Sequence, residues 1–184
     1  MNNAYTPASI IEFWFSSDMK ARWFDSTPEI DREIRERYRS LWEAALRGEI
    51  DDWSATAEGA LALVIVLDQF PLNMFRGQPD AFRTEQQAVA VAKRAIASGL
   101  DKQIPKSQLA FLYMPLMHSE SMRDQDMSVE LFESAGLGEN AKFARHHRGI
   151  IERFGRFPHR NAILGRESRA EEIAYLQSPE AFTG

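Results

Sequence analysis

The sequence predicts an all-α protein built from stacked antiparallel helical hairpins, about eight or nine helices in all. Three observations predict it. Apolar residues recur at steps of three and four almost everywhere. Thr or Pro at segment starts and Gly at segment ends punctuate the chain as helix caps do. No stretch alternates polar and apolar residues at period two, so nothing supplies a partner for a strand.

Each helix has its own warrant. In Pro28–Arg47 the residues Ile30, Ile34, Tyr38, Leu41, Trp42 and Ala45 form one stripe, with Thr27 as cap, Pro28 in the first turn and Gly48 at the exit. Ala57–Phe70 is different, because Ala60–Leu67 is apolar all round and is expected to be the buried centre. Pro79–Ser98 again opens on Pro and closes on Gly99. Lys106–His118 is expected to kink at Pro115, which lacks an amide hydrogen. Ser128–Ala135 reads as a short helix, Glu139–Phe154 as a longer one, and Ser168–Gln177 as the last. In Glu139–Phe154 the residues Phe143, Ile150, Ile151 and Phe154 form the apolar face, with His147 in its middle and His146 at its edge. The early aromatics Phe13, Trp14, Phe15, Trp23 and Phe24 are read as packing between helices.

The chain has 184 residues, enough for one domain, residues 1–184, that buries its own core without staples. Cysteine is absent, so thiolate metal sites and thiol nucleophiles are excluded, and a cytoplasmic protein is expected. The opening MNNAYTPASIIEFWF has no basic region before its apolar stretch, unlike a secretory signal. No apolar run approaches the ~20 residues of a bilayer span, so no membrane partner is expected. A net charge of −5 argues against nucleic acid. That average hides a basic segment: Lys142–Arg169 carries eight Lys or Arg, seven of them Arg, against two acids. It is either a solvated face or an anion-facing surface.

Four groups of polar residues stand out. Asp68 ends the most apolar helix, where burial and the helix dipole both disfavour its charge, so it needs a partner; Arg76 is the nearest candidate. His147 points inward and needs a hydrogen-bond partner. His118-Ser119-Glu120 closes the Pro-kinked helix. Arg156, His159, Arg160 and Asn161 radiate from the Phe154–Asn161 turn, where they could grip an anion or lock the fold. His118, Glu120, His147 and His159 are chemically acceptable ligands for zinc or iron, which would assist an enzyme, but they follow no recognised ligand spacing, so no metal and no other cofactor is expected. Nucleotide-binding loops and a serine-hydrolase elbow are absent.

LDQFPLNMFRG (67–77), MHSE (117–120) and FGRFPHRNAILGR (154–166), with IEFWF (11–15) and Trp23-Phe24, resemble the bacterial domain-of-unknown-function family 924. The resemblance implies a tetratricopeptide-like right-handed superhelix and no established chemistry. Its motif positions match at Asp68, Gln69, Phe70, Arg76, His118, Glu120, Phe157, Pro158, His159, Arg160 and Asn161. Leu72 stands where the resemblance implies a basic residue.

Three functions fit. A binding module would use Arg76, His118, Arg156, His159, Arg160 and Asn161 to receive a small anionic molecule or peptide carboxylate. An enzyme would use Asp68 or Glu120 as base and His118 or His159 as acid. A structural or interaction domain would use the same residues as an internal lock. Oligomeric state is not legible.

Overall fold

The computed structural model describes residues 5–182; the opening Met1–Ala4 of the non-signal reading lies outside the described residues. Among the described residues there are nine α-helices and no strand. They are α1 (Pro7–Trp14), α2 (Ser17–Lys20), α3 (Pro28–Leu46), α4 (Ala57–Met74), α5 (Glu85–Ala97), α6 (Lys106–His118), α7 (Met122–Ser134), α8 (Gly138–Phe154) and α9 (Ala170–Leu176).

Helix α4 is the hub. Every residue from Ala60 to Leu67 is buried, because the segment is apolar on all sides and has helices on all sides. It packs against α1, α3, α5 and α6, while α5, α6, α7 and α8 pack in succession away from it. The window Ala57–Met74 is long and apolar enough to cross a bilayer by length and composition, yet 78% of it is buried inside the protein. Gly59 lets α4 start against the preceding turn: a Cβ there would lie 2.0 Å from the Trp53 carbonyl oxygen.

α4 does not run as a uniform helix. Residues Ile65–Gln69 form a wider π turn, closed by the Phe70 amide donating to the Ile65 carbonyl five residues back. Pro71 then brings no amide hydrogen, so the Leu67 carbonyl, four residues earlier, loses its helical donor. Thr84 replaces it. Its buried hydroxyl donates to Leu67 O at 2.5 Å and accepts from Trp42 Nε1 at 3.0 Å. This explains one departure from expectation. Pro79–Ser98 is not one helix but a 3-10 turn, Pro79–Phe82, followed by α5, because Thr84 sits outside helical geometry (φ −104°, ψ 8°) with its hydroxyl turned to α4.

Two further departures share a cause. α7 starts six residues before the expected Ser128, because its inner face is polar: Asp124, Gln125 and Ser128 are all buried, and hydrophobic period does not register them. On α8 the buried face runs through Ala141, Ala144, His147, Ile150, Ile151 and Phe154, whereas Phe143 is 58% exposed. α9 is shorter than expected, Ala170–Leu176. Pro115 lies inside α6, and the helix continues through it. Of the early aromatics, Trp14 is buried and packs edge-on to Phe70 and Phe111, Trp23 lies against Phe111, and Phe24 is exposed.

The buried apolar residues form two clusters. The large one surrounds α4. A small one, Ile150, Ile151, Phe154, Phe157 and Tyr175, joins the end of α8 to α9.

Thr84→Val would leave both the Leu67 carbonyl and the Trp42 indole N–H buried without partners. We expect urea denaturation to show a loss of about 1–3 kcal/mol per orphaned group, with no change in helix content by circular dichroism.

Candidate functional site

The π turn places Asp68 and Gln69 on the side of α4 that faces the end of α6. Asp68 is buried there, and its Oδ1 lies 2.9 Å from His118 Nδ1. Gln69 Nε2 donates to Asp68 Oδ2 at 2.5 Å. The partner expected from the sequence, Arg76, is elsewhere: it makes a two-pronged ion pair with Asp31 of α3, joined by Asn73 and Ser26. Asp31 went unremarked, though it falls in line with Ile34 and Tyr38 on the buried stripe of α3. Its pKa is lowered: burial opposes this, but Arg76, Asn73 and Ser26 outweigh it.

A second pair stands beside the first. Arg160, from the 3-10 turn Pro158–Arg160, donates through Nη1 to Glu85 Oε2 at 2.7 Å and through Nη2 to the His118 carbonyl at 2.8 Å. Its guanidinium lies between the rings of Phe82 and Phe157, 4.5 and 4.7 Å from their centroids. Burial raises the Glu85 pKa, with Arg160 partly offsetting it. Burial also disfavours the His118 imidazolium, yet the charge and hydrogen bond of Asp68 win, and the His118 pKa is raised above its usual value. Two acids and two bases, from α4, α5, α6 and the 158–160 turn, therefore balance in one cluster.

The His118 side chain is 19% exposed, and its Nε2 has no hydrogen-bond partner among the described residues. His118 is thus the more accessible member of the pair, since the Asp68 side chain is 3% exposed.

The other expected residues do not join this cluster. Ser119 turns to Asp124, and Glu120 is held by Arg166 through both oxygens and by the Phe157 amide. Burial opposes ionisation of Glu120, but those bonds lower its pKa. Arg156 pairs with Glu172 of α9 through Nε and Nη2, at 2.7 and 2.8 Å, and also donates to the Glu167 carbonyl. Asn161 is buried between Ser168, Glu172 and Arg166. His147 is buried as expected, with Nδ1 2.8 Å from the Phe143 carbonyl; His159 turns toward Phe157 and the C-terminal segment. Leu72 packs at the edge of the large core. Among the described residues no three His, Asp or Glu side chains are grouped to hold a metal ion. Glu85, Arg166 and Glu172 were missed; each is a polar residue on a polar helix or turn, where only a partner in space marks it.

The profile of the family described as "Bacterial protein of unknown function" matches residues 10–180. The chain belongs to this family. Its fold is shared by a solved protein of unknown function from Agrobacterium tumefaciens, 40% identical, with a TM-score of 0.88 over 93% of this chain and 96% of that one. No curated protein matches. The relatives thus share the all-helical fold, and the residue geometry above must carry the chemistry.

The internal pairing around Glu172 is testable. Glu172 is fully buried and accepts from Arg156, Arg169 and Asn161. Those bonds, Arg156 first, hold its pKa well below the carboxylate range. Arg156→Ala is expected to destabilise the fold at pH 7 by leaving the buried Glu172 charge short of a partner. A lowered folded pKa contributes stability above the unfolded value and loses it as pH falls. The difference between wild type and variant should therefore shrink below about pH 4.5, as measured by chemical denaturation across pH.

Proposed function

We propose that the protein binds a small polar molecule at His118 and exchanges a proton with it. Asp68 orients the imidazole, and the Glu85–Arg160 pair stands beside it. One observation carries this reading. A buried carboxylate is bonded to one ring nitrogen of a partly exposed histidine whose other nitrogen has no partner among the described residues, the arrangement by which a histidine is fixed in one tautomer and made a stronger base. Arg76, Arg156, Arg160 and Glu120 each already have an ion-pair partner in the protein, which supports a positioning role for them rather than contact with the ligand. Asp68 is likewise the orienting group and not the base. The ligand class that suits a histidine with a raised pKa is a small acid, whose anion accepts the Nε2 hydrogen. We place this activity in the cytoplasm.

A structural or protein-interaction role is the second reading, supported by the same internal pairing of the arginines.

The test is a thermal-shift screen of small carboxylic acids and phosphates at pH 6 and pH 8. At least one acid should raise the melting temperature, by several degrees and more at pH 6, because a raised histidine pKa means more imidazolium there. His118→Gln should abolish the shift. Asp68→Asn should move the His118 titration, followed by its ring-proton NMR signal, to lower pH. An empty panel, or an acid that stabilises His118→Gln equally, would sink the reading.

A further inference from the structure

Three of the chain's four histidines, His146, His147 and His159, lie together, and the C-terminal segment reaches them through Phe182. The Phe182 ring lies 4.4 Å from the His147 ring and 5.0 Å from the His159 ring, centroid to centroid. Phe157 closes the same slot, 5.6 Å from each of those histidines. The Phe182 amide donates to the Tyr175 hydroxyl at 2.9 Å, which pins the segment to α9. The Phe182 ring thus fills a slot whose two main walls are imidazoles.

Those imidazoles are poorly supplied with hydrogen-bond partners. His147 has the Phe143 carbonyl on Nδ1, and His159 Nδ1 is buried with no partner among the described residues. A second proton on either ring would sit against hydrocarbon. We propose that Phe182 is an acid-released latch: its ring closes the slot between His147 and His159 while both are neutral, and protonation of the pair frees it. This stands apart from the reading of His118.

Every charged neighbour bears on the sign. His147 faces His118, His146 and His159, all of which disfavour its protonation. His159 faces Arg160, Arg166 and His118, which disfavour it, and Glu120, which favours it. Glu120 is already neutralised by Arg166. Burial is the largest influence on both and pushes the pKa of His147 down to about 3 and that of His159 down to about 4. An imidazolium against an aromatic face would gain some cation–π attraction, but burial outweighs it here. The closed form therefore binds fewer protons than the open one, so falling pH favours opening. The effect approaches tenfold per pH unit for each histidine that regains its ordinary pKa.

The full chain carrying 4-fluorophenylalanine at position 182 reports the latch by fluorine NMR. The open-to-closed ratio should rise at least tenfold between pH 7 and pH 5, and the double variant His147→Gln/His159→Gln should remove that dependence. Should the double variant unfold, Phe182→Ala supplies the second readout. Its His147 and His159 ring-proton titrations should move up by a pH unit or more toward 6.5, with circular dichroism unchanged. A fluorine signal that is constant from pH 7 to pH 5, or histidine titrations unaltered by Phe182→Ala, would overturn the proposal. The His118 ring proton is read in the same titrations, so failure of the latch and failure of the His118 reading are told apart.

Discussion

The structure depends on how the central helix ends. α4 is apolar on every side, and a helix surrounded by protein cannot send its last carbonyls and its acid to water. The π turn and Pro71 make the problem sharper, since together they break the regular ladder at Leu67. Neighbouring helices solve it. Thr84 from the start of α5 bonds Leu67, Arg35 from α3 bonds the Met74 carbonyl at 2.7 Å, and His118 from α6 takes Asp68. Three helices are thereby placed by the needs of one. The same polar terminus that organises the packing also holds the only carboxylate–histidine pair among the described residues, so fold and candidate chemistry share a cause.

Much of this was legible in the sequence and some was not. Helical period and cap residues gave the all-α class and the bounds of α3 and α6 almost to the residue. Asp68 could be singled out because an acid after eight apolar residues violates the pattern around it. Its partner could not. Arg76 is near along the chain, but it lies beyond the end of α4 and meets Asp31, whereas His118 is fifty residues away and opposite. Sequence distance does not report which side of a helix end a residue occupies. The start of α7 was hidden for a related reason: Asp124 and Gln125 look like a solvated face until the Ser119 hydroxyl and the carbonyls of Met117 and Ser119 are placed against them.

The basic segment shows how composition can mislead about function. Among Lys142, Arg145, Arg148, Arg156, Arg160, Arg166 and Arg169, each has a carboxylate within 4 Å, drawn from elements as far apart as α5 and α9. Excess charge in one stretch is balanced by excess acid in the rest once the chain folds. Several of these pairs are buried or half-buried, where breaking one partner costs far more than the intact pair contributes. They specify how α8, the 158–160 turn and α9 meet.

The division of the apolar interior into two clusters has a consequence for how the molecule breathes. α9 is fastened by charge around Glu172 and by five apolar side chains that do not merge with the main core. A unit held that way, with few apolar contacts to the main core, opens at a lower free energy than the hub helix. The segment carrying α9 can therefore sample detached states while α4 and its neighbours stay folded, and proteases or partner surfaces would meet it as a separately hinged flap on a rigid body.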